Sequence, residues 1–177
     1  LNSSIPEVLQ HVKDRIETAI AKFMEGYNCA QSVFYSFCDD LQFDKETALK
    51  MATGLGAGMA RKEEVCGAVT GGIIVIGVKY GRGEKDDRKA TELTYQKTLD
   101  LMNQFTEEHG TYICRNLLNG CELTTEEGQK QFKENDLLNK VCKGCVRTVV
   151  ELLEDIIAVA KSLDRFGVQG TPLSKGL

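Results

Sequence analysis

Between Gly54 and Tyr80 the chain reads GLGAGMARKEEVCGAVTGGIIVIGVKY. A glycine-spaced stretch leads through a charged patch to a cysteine, and then to the most apolar run of the sequence. Val65, Ala68, Val69, Gly72, Ile73, Ile76 and Tyr80 fall at helical spacing, and their neighbours are small or apolar too. This predicts a central helix buried nearly all round. The β-branched cluster Ile73–Ile76 keeps a strand as the alternative. Gly67 and Gly71, one turn apart, let a second helix approach closely; the steric reason is the one known from membrane helix pairs. The glycines before Cys66 do not form a nucleotide loop. Met59 stands where the third glycine of a GxGxxG would be, and a helix rather than a strand precedes it.

Everything around this stretch also reads as helix. Ile5 to Phe23 repeats apolar residues at helical spacing after Ser3 and Ser4, with Pro6 in the first turn, and stops at Gly26. Asn28 is a candidate N-cap for a second helix whose apolar face is Ala30, Val33, Phe34, Phe37, Cys38 and Leu41. Asp44 caps a third. Asp86 and Asp87 start a long helix that ends at His109 and Gly110, and His109 serves that helix end electrostatically. A short helical segment carries Cys114 and Cys121, and a polar, peripheral one begins at Thr124. The last helix runs from about Leu137 to Leu163, with Cys142, Cys145, Val149, Leu152, Ile156, Val159 and Leu163 as its core stripe. The expectation is an all-α, single-domain helical bundle over residues 1–166, followed by a flexible tail at 167–177.

The net charge of −4, with basic residues spread along the chain, argues against a nucleic-acid surface. No apolar run reaches the roughly 20 residues needed to span a bilayer, and no secretory leader opens the chain. Seven cysteines in such a chain suit a reducing, cytoplasmic setting, where they serve as thiols, metal ligands or a redox pair rather than as staples.

Cys29 is expected in the first turn of its helix, where the positive dipole end favours thiolate. Cys66 is expected in the first turn of the central helix after two basic residues, which lower a thiol pKa while burial raises it. Cys142 and Cys145 face inward, and Cys114 follows the long helix directly. Cysteines converging from separate helices suit an iron–sulfur or other soft-metal cage, or equally a thiol–disulfide pair. Cys142-Lys143-Gly144-Cys145 is a CxxC followed by Val146, which excludes covalent c-type haem attachment. Cys38 reads as core. The carboxylates read as solvated surface.

The sequence resembles a family of redox-active proteins named for a C_GCAxxG_C_C cysteine pattern. The matching residues are Gly26-Tyr27-Asn28-Cys29-Ala30-Gln31, Gly56-Ala57-Gly58-Met59, Cys66-Gly67-Ala68-Val69-Thr70-Gly71 and Cys114-Arg115-Asn116-Leu117-Leu118, with a late cysteine ahead of an amphipathic helix. The resemblance covers roughly residues 8 to 160. It places the family cysteines on Cys29, Cys66, Cys114 and Cys142, with Cys145 competing for the fourth place, and leaves Cys38 and Cys121 outside. It implies a redox-active protein, and a more distant similarity to the cluster-bearing part of split-Soret cytochromes implies an iron–sulfur centre. Three functions follow as expectations. The first is an electron-transfer centre holding an iron–sulfur cluster on the four cysteines. The second is a cofactor-free dithiol/disulfide protein with Cys66 and Cys29 as redox thiols. The third is a helical interaction or structural protein with core cysteines only. The expected partner is a redox protein or other electron donor or acceptor, with a second copy of the chain as a further candidate.

Overall fold

A computed structural model of the chain describes residues 5–166, and the side chains of residues 7–158. Ser3, Ser4, the side chains of Val159 and Leu163, and the tail at 167–177 lie outside the described residues. Among them the secondary structure is helical, apart from one antiparallel bridge between Val65 and Ile113.

The helices in order are α1 (Ile5–Met24), α2 (Cys29–Leu41), α3 (Lys45–Ala52), the single turn α4 (Gly56–Met59), α5 (Gly67–Tyr80), α6 (Lys89–His109), α7 (Cys114–Leu117), α8 (Glu126–Glu134) and α9 (Lys143–Phe166). The GAVTGGIIVIGVKY run is therefore α5, a helix and not a strand, and α2, α6 and α9 all pack on it. α1 lies across α2 and α9, and α3 packs on α2. The core between them is built from Val33, Phe34 and Phe37 of α2, Val69, Val75 and Ile76 of α5, Leu101 and Phe105 of α6, and Val146, Val149 and Leu153 of α9. Each such side chain contributes about 1.5–3 kcal/mol by leaving water.

The glycines decide how close the neighbours of α5 come. A Cβ at Gly71 would stand 2.7 Å from the carbonyl oxygen of Ala30, and one at Gly67 would stand 3.2 Å from the Cβ of Cys29. The expected close partner is thus α2, at its first turn.

Several expectations are corrected. α5 is not buried all round: Ile73 and Ile74 are half-buried and Val78 is exposed. Asp86 and Asp87 do not start α6. They make a turn in which Asp86 accepts from the Gly83 amide and Asp87 from the Lys89 amide, and the helix begins at Lys89. The last helix does not run evenly from Leu137. Residues Leu138–Cys142 form a π-helical turn, in which the Lys143 amide reaches back to the Leu138 carbonyl, and only then does α9 begin. His109 does more than close a helix: its ring stacks on Phe105 at 4.4 Å and its Nε2 bonds the Thr148 hydroxyl at 3.0 Å, tying α6 to α9.

Arg15 closes the opposite side of the bundle. Its buried guanidinium pairs with Glu154 of α9, with Asp40 of α2 at 2.5 Å and with the Ser36 carbonyl at 2.7 Å, and it lies over the Phe37 ring. One cation therefore joins three helices.

Candidate cysteine site

Cys29 is placed by its neighbours on either side. Asn28 caps α2: its Oδ1 accepts from the Gln31 amide, and its own amide donates to Gln31 Oε1, both at 3.0 Å. The two caps also reach α3 and the 3-10 turn after it, since Asn28 Nδ2 donates to the Thr53 carbonyl and Gln31 Nε2 to the Leu49 carbonyl, each at 2.9 Å. The capping box thus fixes both the start of α2 and the position of the thiol that follows.

Cys66 and Cys114 arrive on two segments zipped together. The Cys66 amide donates to the Tyr112 carbonyl at 2.8 Å, the Cys114 amide to the Glu64 carbonyl at 2.7 Å, and the Arg115 amide to the Glu63 carbonyl at 3.0 Å. Cys66 is the N-cap of α5 rather than a residue of its first turn. Cys114 opens α7.

The approach to Cys66 is unusual. Ala57, Gly58, Met59, Ala60 and Arg61 all have positive φ, and so does Glu63 at 61°. The chain makes a left-handed turn there, and Gly58 is its only glycine. A Cβ at Gly58 would meet the Glu63 Cα at 2.6 Å. Left-handed backbone costs roughly 1–2 kcal/mol per non-glycine residue, so tertiary contacts must hold this turn in place. Glu63 supplies them. Its carboxylate is fully buried, its Oε1 accepts from the Leu123 amide at 2.6 Å, and its Oε2 lies 3.1 Å from the Arg115 guanidinium, an ion pair without hydrogen-bond alignment. The Glu63 amide donates to the Ala57 carbonyl at 3.3 Å, closing the turn on itself.

These elements enclose a cavity of about 190 Å³ lined by Cys29, Cys66, Cys114, Cys142 and Cys145. Its remaining walls are largely apolar, with Phe23, Leu117, Leu118, Phe132 and Val141 among them, and no carboxylate or imidazole lines it. The thiols are paired across helices. Cys66 pairs with Cys145, and Cys29 with Cys142. All seven cysteines of the chain are free.

The pairing separates the thiols electrostatically. The Cys66 pKa is held below the ordinary thiol value, first by the Cys145 donor and then by the amides of Ala68 and Val69 at the start of α5, though neither amide makes a formal capping hydrogen bond. Cys145 is pushed up, first by its bond to Cys66 and then by burial. Cys29 is also pushed well up, by its bond to Cys142 and then by burial. The helix-dipole expectation of a Cys29 thiolate is therefore corrected: donor role and desolvation outweigh the first-turn amides. Burial raises Cys114 to about 12, with the neighbouring Cys66 and Cys142 adding to it.

The four cysteines expected from the sequence all line the cavity, and so does Cys145. Cys38 sits in the core, its Sγ donating to the Phe34 carbonyl. Cys121 lies in a small second core with Cys114, Leu118 and Leu123, and its Sγ donates to the Gly128 carbonyl. Among the described residues no three His, Cys, Asp or Glu side chains stand close enough together to hold one metal ion. Sequence reasoning missed Glu63 and Arg115. Glu63, within a charged Arg-Lys-Glu-Glu run, had every appearance of solvated surface.

Residues 27–156, well over half of the chain, match the family described as "Putative redox-active protein (C_GCAxxG_C_C)". No curated protein and no solved structure matches the chain. No described helix is long and apolar enough to cross a membrane.

Proposed function

The chain belongs to the C_GCAxxG_C_C family, and on that footing we propose that it is an electron-transfer protein whose centre is an iron–sulfur cluster on Cys29, Cys66, Cys114 and Cys142, with Cys145 beside them. The observation that carries this reading is the donor set: five thiols from four segments of the chain, with no carboxylate or imidazole, around one apolar cavity. Thiolates are the ligands of iron–sulfur clusters. When bound, the cluster would take up and release single electrons.

The chain's own residues have definite tasks in this reading. Asn28 and the Gly67–Gly71 face position Cys29, and the Glu63–Cys66 and Tyr112–Arg115 zipper spaces Cys66 from Cys114. Phe23, Leu117, Phe132 and Val141 keep water from the sulfurs, which lowers the local dielectric and makes nearby charges count more. The partner is an electron donor or acceptor, and a reducing, cytoplasmic compartment suits the free thiols.

One observation favours a second reading, a cofactor-free dithiol centre: the thiol contacts Cys66–Cys145 and Cys29–Cys142. In that chemistry the Cys66 thiolate attacks one sulfur of an incoming disulfide and expels the other as a thiolate. Cys145 then gives its proton to the expelled thiolate and attacks the Cys66 sulfur, giving the Cys66–Cys145 disulfide and releasing the second thiolate, so that two electrons pass to the substrate.

Purification without oxygen, followed by a visible spectrum with iron and sulfide analysis, tests the first reading. Iron and sulfide bound in comparable amounts, and lost in a Cys29→Ser or Cys66→Ser variant that still folds, is the expected result. Their absence after anaerobic reconstitution overturns it. Loss of two thiols on mild oxidation with the fold intact then supports the dithiol centre, and unreactive cysteines leave a helical structural protein.

A further inference from the structure

Glu63 is the one fully buried carboxylate among the described residues, and neither the family pattern nor the cysteine chemistry assigns it a role. It is three residues before Cys66, and the guanidinium it pairs with belongs to the residue after Cys114. Its backbone carbonyl takes the Arg115 amide and its side chain takes the Leu123 amide, so it fastens the segment carrying Cys66 to the one carrying Cys114. We propose that Glu63, with Arg115 as its counter-ion, is a positioning residue that also sets the reduction potential of the cysteine site.

The physical argument is about unequal screening. The Glu63 side chain is 0% exposed, while that of Arg115 is 47% exposed. Solvent screens the guanidinium more than the carboxylate, so the pair presents net negative potential to the sulfurs inside. The Glu64 carbonyl next to it takes the Cys114 amide at 2.7 Å, so the charge lies beside that arm of the site. Reduction adds negative charge to the site, as an electron on a cluster or as thiolate from a disulfide. A buried negative charge beside it opposes that change and lowers the potential. The inference rests on the redox reading above and holds for either form of the centre, because the sign is the same in both.

The test is the midpoint potential of the purified, fully assembled protein, measured beside its thermal midpoint. Glu63→Gln keeps an oxygen for the Leu123 amide and removes the charge. It is expected to raise the potential enough to shift the redox equilibrium about tenfold, which is about 59 mV for a one-electron couple and about 30 mV for a two-electron one. Arg115→Gln, at a half-exposed position, is expected to lower the potential by a smaller amount. Both variants lose some stability, so shifts of opposite sign are the signature that a purely structural role would not produce. Thermal midpoints that fall with both potentials unmoved, or potentials that move in the same direction, overturn the proposal. If Glu63→Gln does not fold, Arg115→Gln decides alone: a lowered potential supports the proposal and an unchanged one refutes it. A wild-type protein with no reversible couple defeats the redox reading itself, and this inference with it.

Discussion

Gly71 of α5 and Ala30 of α2 meet backbone to backbone, with 2.7 Å between the Ala30 carbonyl oxygen and the point where a Gly71 Cβ would sit. The neighbour is main chain one residue beyond Cys29, so it cannot yield as a flexible side chain would. Gly71→Ala is expected to destabilise the protein by about 1–3 kcal/mol and to push Cys29 away from the cavity. Urea denaturation measures the first effect. A fall in bound iron, or in the yield of the Cys29–Cys142 disulfide, measures the second. A variant as stable as the parent would show that α2 and α5 do not pack this closely.

Mild oxidation of the reduced, cofactor-free protein should close disulfides in the order that the thiol contacts dictate. Cys66, whose pKa is lowered, attacks first, and Cys145 is its partner. Peptide mapping should therefore find Cys66–Cys145 before Cys29–Cys142, with Cys38 and Cys121 still reduced. Replacing Cys145 by Ala removes the donor that most lowers the Cys66 pKa. Alkylation of Cys66 should then need a higher pH to reach the same rate.

The buried core thiol Cys38 makes alkaline stability informative. Burial raises it from 9.0 to about 11 in the folded protein. Between those values the native state holds a proton that the unfolded chain has released, so stability is full below pH 9 and declines as pH rises toward 11. Cys38→Ala should make that decline shallower while costing stability at neutral pH. Denaturation midpoints of the cofactor-free protein from pH 8 to 11 follow the effect, and an unchanged slope would count against it.

Arg15→Ala leaves Glu154 and Asp40 without the cation they share, and exposes the Phe37 face on which the guanidinium lies. A loss of about 3 kcal/mol is expected, at the low end for a broken buried pair because Asp40 is half-exposed. The site is on the other side of the bundle, so the iron content or thiol reactivity of the folded fraction should match the parent. A variant that retains full stability would refute the tie between α1, α2 and α9.

Much of the helical frame could be read from residues alone. Asn28 stands where an N-cap is expected and is one; Gly67 and Gly71 open the face that α2 occupies. What could not be read was set by long-range contacts. Nothing local to Cys29 reveals that its thiol will pair with Cys142, more than a hundred residues away, or that burial will oppose the helix dipole. The left-handed path from Ala57 to Arg61 was hidden because four of its five residues have side chains that ordinarily avoid it. Glu63 was hidden for a related reason. A glutamate in a charged run reads as surface until the Leu123 amide, far along the chain, is seen to bond it.

The left-handed turn has a kinetic meaning as well as a structural one. Its backbone would relax on release of Glu63, so this corner is expected to open more readily than the helices separate. Such an opening would part the Cys66 and Cys114 arms as a unit and leave the hydrophobic core closed. A prosthetic group could then be loaded, or an oxidised site repaired, by a folded molecule. Amide hydrogen exchange offers a direct view: protection at Glu63, Glu64 and Cys114 should fall together, and far below that of α5.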